Sequence, residues 1–328
     1  MFPAAALTHL KSLIARGHRF AITTHVNADG DGLGSEVALV VYLQQLGKEA
    51  YIFNHSQIPS NYEFLDPFGD IQLFDPARHG DIIRQCDAIF ILDISHWQRL
   101  KQFGEFVRPL KIPKVCIDHH PTEEAFVDLD VVEPSASSTG ELIFELLQGL
   151  QARIDGRIAE ALYTAVMTDT GSFRYSNTNA HSHRVAAQLL EAGVRPHLVY
   201  QQVYENMPAA RMRLLARILE SLQFENNGQI VWFVIKQQDL ELSGASYKDT
   251  EGFVDVPRSI KGVEISIMFF ETPDDKVKAS FRSKGNYVIN GLANRFGGGG
   301  HPFAAGALIE ENMQNAIPRV LEEARMLF

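Results

Sequence analysis

The stretch Arg19-Phe20-Ala21-Ile22-Thr23-Thr24-His25-Val26-Asn27-Ala28-Asp29-Gly30-Asp31-Gly32-Leu33-Gly34 decides the fold. Residues 19–26 form a β-rich apolar run, and residues 33–46 follow at helical spacing until Gly47 closes them. Strand, tight turn and helix together open a parallel sheet with helices packed on its faces. On the turn stand His25, Asp29 and Asp31, among glycines that let the backbone bend before the helix begins. One short loop can therefore aim three potential metal ligands at one point.

Working outward, residues 50–54, 88–93 and 114–118 read as further strands and 127–132 as one more, with helices predicted at 139–150, 155–167 and 180–191. Two of these strands also end in ligand-type residues, Asp93 and Asp118-His119-His120. In an open parallel sheet, ligands bind beyond the carboxyl ends of the strands, so three strands deliver acids and imidazoles to one edge. Taken singly, each such residue reads as a helix cap or a satisfied polar group. The set is what points to metal.

Asp169, in Met167-Thr168-Asp169-Thr170-Gly171, is an acid at a helix C-terminus that either joins the set or caps the next turn. His120 faces away if the strand continues past His119. If the chain has turned, it faces substrate as a donor to a phosphoryl oxygen. Carboxylates and imidazoles too numerous for one ion suit a pair of divalent cations, a device for splitting phosphate esters.

At 328 residues, 45% of them hydrophobic, the chain exceeds one comfortable core. Two domains are expected, residues 1–195 and 226–328, joined by a helical connector at 196–225. In the second, Asn226-Asn227-Gly228 makes a turn before strands at 229–235, 263–271 and 276–281. A polar helical stretch is expected near 247–258, with helices at 288–296 and from Met313. The net charge of −10 argues against a basic track for long nucleic acid, so any nucleic-acid substrate is short. Cys86 and Cys116, in or beside apolar runs, fit reduced core residues. Residues 1–14 read as an amphipathic helix rather than an export signal, and no apolar run reaches the roughly 20 residues that cross a bilayer. A cytoplasmic protein without membrane contact is expected; a homodimer is neither required nor excluded.

His25-x-x-x-Asp29-x-Asp31, Asp93, Asp118-His119-His120 and Asp169 together resemble the DHH phosphoesterase superfamily. Phe281-Arg282-Ser283-Lys284, followed by Gly297-Gly298-Gly299-Gly300-His301-x-x-Ala304-Ala305-Gly306, resembles the smaller DHHA1 domain. Order and length are similar to the branch of oligoribonucleases and pAp phosphatases called nanoRNases. The resemblance spans nearly the whole chain. It implies an α/β fold: a parallel-sheet DHH domain with flanking helices, a smaller α/β DHHA1 domain, and an active site in the cleft between them.

It further implies that His25 and Asp29 bind one ion, that Asp31, His119 and Asp169 bind a second, and that Asp93 bridges them as a catalytic residue beside His120. Mixed imidazole and carboxylate ligands fit Mn²⁺ or Co²⁺ better than Mg²⁺. Gly298, Gly299 and Gly300 would bring backbone N–H groups close to a substrate phosphate, with Arg282, Lys284 and His301 adding charge-assisted hydrogen bonds. Arg174 would line the cleft. Two departures stand out: Glu36 replaces a commonly small residue, which is expected to alter packing only, and Pro302-Phe303 replaces a more polar pair, which leaves base preference open.

The function so implied is metal-dependent hydrolysis of short oligoribonucleotides to 5′-mononucleotides and of pAp to AMP. Hydrolysis of linear or cyclic dinucleotides (pApA, cyclic di-AMP) is the runner-up. An inorganic pyrophosphatase is a lesser alternative, because Arg282-Ser283-Lys284 joins a glycine run where a Ser-Arg-Lys-Lys-Gln cluster would be expected. A nucleotide-binding module without turnover is another, disfavoured because every proposed ligand is present.

Overall fold

The computed structural model describes residues 2–94, 96–121 and 127–328, and it divides into two compact units between Asn206 and Met207. Met1, where the amphipathic helix was expected to begin, lies outside the described residues.

In the first unit, α1 (Ala4–Arg16) leads to β1 (Arg19–Thr23), α2 (Gly30–Gln45), β2 (Glu49–Asn54), β3 (Ile71–Leu73), α3 (Pro76–Arg84) and β4 (Ala88–Leu92). Then come α4 (Lys101–Val107), β5 (Lys114–Asp118), β6 (Leu129–Val132), α5 (Thr139–Gly149), α6 (Gly156–Asp169), α7 (Ala180–Glu191) and α8 (Pro196–Tyr204). The strands lie in the order β3-β2-β1-β4-β5-β6, all parallel. Strand order therefore reverses between β1 and β4, and at such a switch the connections part over opposite faces and leave a crevice. Side chains alternate: Phe20, Ile22, Phe90, Leu92, Val115 and Ile117 join the core under α2, α5 and α6, while Ala21, Ile89, Ile91 and Cys116 join the core under α3 and α4. Cover on both faces is why these strands read as unbroken apolar runs.

Helix α2 begins earlier than its apolar periodicity predicts. Asp29 caps it, its Oδ1 accepting from the N–H groups of Asp31 (3.1 Å) and Gly32 (3.2 Å). The expectation that Gly30, Gly32 and Gly34 shape a turn is thus corrected: all three lie within the helix, where they permit close packing. A Cβ on Gly34 would fall 2.3 Å from the Ala161 carbonyl oxygen of α6. Strand β3 and helices α3 and α4 were not foreseen, although Asp75 and Pro76 carry the cap and first-turn signals of α3.

The second unit holds α9 (Ala209–Glu220), β7 (Gln223–Glu225), β8 (Ile230–Ile235), α10 (Gln237–Ser243), β9 (Ile265–Glu271), β10 (Val277–Ser283), α11 (Asn290–Arg295), β11 (Gly299–His301), β12 (Ala304–Ile309) and α12 (Met313–Arg325). Its sheet runs β11-β12-β10-β9-β8-β7, with only the β8–β9 pair parallel. Along β9, Ile265, Ile267 and Phe269 pack with α11 and α12, and Met268 and Phe270 with α9. The expected glycine loop is instead an edge hairpin: Gly299, Gly300 and His301 pair with Gly306, Ala305 and Ala304. Gly298, at its entry, approaches the partner strand so closely that a Cβ would lie 2.1 Å from the Gly306 carbonyl oxygen. Among the described residues no helix is long and apolar enough to cross a membrane.

Candidate metal centre

The carboxyl ends of β1, β4 and β5, three neighbouring strands, carry His25, Asp93 and His119. Asp29 and Asp31 sit at the start of α2, and Asp169 is the last residue of α6. Asp93 leaves its strand with φ of 58°, a left-handed conformation that is costly for a residue with a Cβ.

His25 Nε2 lies 3.7 Å from Asp29 Oδ2 and 3.5 Å from Asp93 Oδ2. His119 Nε2 lies 3.7 Å from Asp31 Oδ2, 3.6 Å from Asp169 Oδ2 and 3.8 Å from Asp93 Oδ1. Asp93 thus turns one oxygen toward each imidazole. In the trios His25-Asp29-Asp93 and Asp31-His119-Asp169, potential ligand atoms all lie within 4.8 Å of one another, and Asp93, His119 and His120 make a third such group.

The acids are held from behind. Asp31 Oδ2 accepts from the Thr139 N–H at 2.7 Å and Oδ1 from the Gly140 N–H at 2.8 Å, seating the carboxylate on the first turn of α5. Thr139 Oγ1 donates to Asp93 Oδ1 at 3.2 Å, and Asn177 Nδ2 donates to Asp169 Oδ2 at 3.0 Å. Thr139 was not visible in the sequence, since it lies 46 residues along the chain from the acid it holds and carries no motif of its own.

Crowded charge follows. Burial, then the charges of Asp93, Asp169 and Asp29, push Asp31 well above the usual carboxylate range. Burial, then Asp93 and Asp29, raise Asp169 to about 7. Burial lowers the His25 pKa, yet Asp29 and Asp93 outweigh it and raise the group to about 10. His119 is lowered, by burial and then by its neighbour His120, which favours a neutral ring with a lone pair to give. Its Nε2 is buried without a hydrogen-bond partner among the described residues. Acids that repel one another around an orphaned imidazole nitrogen form a donor set that divalent cations fit, since cations would neutralise the one and complete the other.

His120 falls on the same side as this set. The chain turns after Asp118, and His120 Nδ1 bonds Asp118 Oδ1 at 2.8 Å while its main-chain N–H donates to the same oxygen at 3.1 Å. Burial would lower its pKa, but Asp118 and Asp93 outweigh this and raise it. The orienting part of Asp118 was not foreseen, although the residue opens the quoted motif. Arg174 donates from Nε to the Gly171 carbonyl at 2.8 Å, in a loop where Gly171, Ser172 and Phe173 all have positive φ.

In the second unit, Arg282 on β10 and His301 on β11 both pair with Ala304 on β12, which places their side chains in one row on one face. Arg282 Nε lies 3.5 Å from Asp255 Oδ2, and Lys284 Nζ donates to the Ile260 carbonyl at 3.0 Å. Phe303, in the hairpin turn, is exposed.

Residues 19–167 match the DHH family, N-terminal domain, and residues 228–328 match the DHHA1 domain. The chain is 31% identical over 310 residues to the bifunctional oligoribonuclease and PAP phosphatase NrnA of Thermus thermophilus, covering 93% of this chain and 88% of that protein. It is 31% identical to the Bacillus subtilis protein of the same name, covering 87% of each. The crystal structure of an exopolyphosphatase-related protein from Bacteroides fragilis superposes with a TM-score of 0.93 at 29% identity, covering 99% of this chain and 96% of that one. Both domains in order, and relatives this similar along most of their length, show that the chain belongs to the DHH family and is a phosphoester hydrolase of that family.

Proposed function

We propose that this hydrolase converts short oligoribonucleotides to 5′-mononucleotides and removes the 3′-phosphate of pAp, using two divalent ions of the Mn²⁺ type. The observation that carries the reading is the pair of His/Asp trios meeting at Asp93, supported by the 31% identity to proteins named for these two activities. One ion would be held by His25, Asp29 and Asp93, the other by Asp31, His119, Asp169 and Asp93. Such ions supply Lewis-acid charge and acidify a water for attack on phosphorus.

The chain's own residues do the rest. Asp118 fixes Nδ1 of His120, which leaves Nε2 to donate to a phosphoryl oxygen. Arg282 and His301 grip a further phosphate of the substrate, with Lys284 and the N–H groups of Gly298, Gly299 and Gly300 beside them. Arg174 borders the substrate path. The net charge of −10 repels long strands, which favours short ends. Buried, free Cys86 and Cys116 suit work in the cytoplasm.

The test compares an RNA length ladder, pAp, pApA, cyclic di-AMP and pyrophosphate side by side with Mn²⁺. Fastest turnover is expected on RNA of a few nucleotides, with pAp also cleaved. Equal or faster turnover of long RNA, or preference for pyrophosphate or cyclic di-AMP, would overturn the assignment.

A further inference from the structure

Behind the candidate metal centre lies a buried polar chain that no ligand role accounts for. Glu36 on α2 and Asn54 at the end of β2 are 0% and 1% exposed. Asn54 Nδ2 donates to Glu36 Oε2 at 2.8 Å, and Asn54 Oδ1 accepts from the Thr24 N–H at 3.3 Å. Thr24 Oγ1 in turn donates to the Leu92 carbonyl at 2.8 Å. The packing reading of Glu36 is therefore incomplete: Asn54 engages one carboxyl oxygen, while the other, Oε1, is buried with no hydrogen-bond partner among the described residues, a cost that an apolar side chain filling the same space would avoid.

Position gives the chain of bonds its meaning. The ladder between β1 and β4 ends with Thr23 opposite Ile91. The Thr24 hydroxyl extends that joint by one residue, to Leu92, and the next residue on each side is a candidate ligand, His25 or Asp93. Gly32 presses from α2, where a Cβ would lie 2.4 Å from Thr24 Oγ1, so the hydroxyl has little room to turn elsewhere. Burial pushes Glu36 up to about 8, which leaves a neutral carboxyl as the acceptor for Asn54. Asn54 is thereby held to α2 on one side and to β1 on the other.

We propose that Glu36, Asn54 and Thr24 are positioning residues: they brace the tips of β1 and β4 so that His25 and Asp93 stand at ligand spacing, and so set the affinity for the ion held by His25, Asp29 and Asp93. The inference rests on the metal reading given under Proposed function. Partners behind ligands typically govern metal affinity by about 10–100-fold. Their loss shows in ion binding before it shows in substrate recognition.

The test is a calorimetric titration of Mn²⁺ into the metal-free full chain for the wild type, Thr24→Val, Glu36→Gln, Glu36→Ala and His25→Ala. Each is paired with a thermal melt and with KM measured at saturating Mn²⁺. Thr24→Val keeps the shape and loses the hydroxyl; it should bind Mn²⁺ about tenfold more weakly with KM unchanged. Glu36→Ala should do the same, while Glu36→Gln, which keeps an oxygen for Asn54, should stay close to wild type. If Glu36→Ala does not fold, Thr24→Val decides. Weakened binding in His25→Ala but wild-type binding in a folded Thr24→Val overturns the brace alone. No uptake of Mn²⁺ by the wild type overturns the metal reading and the brace with it.

Discussion

The two units hold their candidate residues by opposite means. In the first, ligand-type side chains leave adjacent parallel strands or helix ends, and those at its middle are buried: the Asp31 and Asp93 side chains are both 2% exposed, although Asp29, at the cap of α2, is 56% exposed. In the second, Arg282 on β10 and His301 on β11 stand on one face of a sheet that ends in a glycine-edged hairpin, and the Arg282 side chain is 30% exposed. Chemistry that depends on separations of a few ångströms gains from strands whose spacing the ladder fixes, whereas gripping a flexible substrate gains from an open face. The contrast teaches that kcat and KM should be governed by different units.

The strongest way to break that division is Asp93→Ala. It removes the carboxylate facing both imidazoles, and kcat is expected to fall by about 10³-fold or more while the circular dichroism spectrum holds. Retained activity would end the shared-carboxylate reading. Next, His120→Ala should lower kcat by about 10²-fold with Mn²⁺ uptake unchanged in calorimetry, separating proton donation from ion binding. Arg282→Ala sharpens the contrast from the other side: KM should rise by about tenfold with kcat nearly kept, as for loss of a charge-assisted hydrogen bond. A fall in kcat alone would move Arg282 into the chemistry.

The smallest expected effect is on stability. Asp169, raised to about 7, keeps its proton in the folded metal-free chain over a range where the unfolded chain has lost it. His25, raised to about 10, does likewise above its ordinary range near 6.5. In both windows the folded state binds more protons, so metal-free stability falls as pH rises, first from about 4 to 7 and then from about 6.5 to 10. The metal-free melting temperature should drop by several degrees between pH 5 and 9, and added Mn²⁺ should cancel most of the drop. Trp97 lies in the first unit and Trp232 in the second. Following each alone, in Trp97→Phe and Trp232→Phe variants, should place the pH response on Trp97; an equal response at Trp232 would contradict it.

Legibility followed burial. Strands β1, β4 and β5, covered on both faces, were plain in the sequence as apolar runs, and with them came His25, Asp93 and His119, because position at a strand's carboxyl end is itself a signal. Strand β12 was hidden: Ala304-Ala305-Gly306-Ala307 is too small and uniform to show alternation, so it merged with the glycine run before it. The start of α2 was missed because glycines lower helix propensity, while close packing against α6 at Gly30 and Gly34, and against Thr24 at Gly32, requires them. The Thr139 and Gly140 N–H groups that hold Asp31 lie more than a hundred residues away, and only the folded chain brings them there. The link from Glu36 to the strand tips is not legible, since its partner Asn54 comes from β2 and Asn54's own partner Thr24 from the end of β1.

Asp31 has one foot on each of two helices, lying in the first turn of α2 and closing the N-terminus of α5. Substituting it removes a candidate ligand and uncaps a helix together, so a silent Asp31 variant says little about catalysis. An experimenter who wants an inert but intact protein, to trap a substrate for crystallography, is better served by altering a residue that closes no helix.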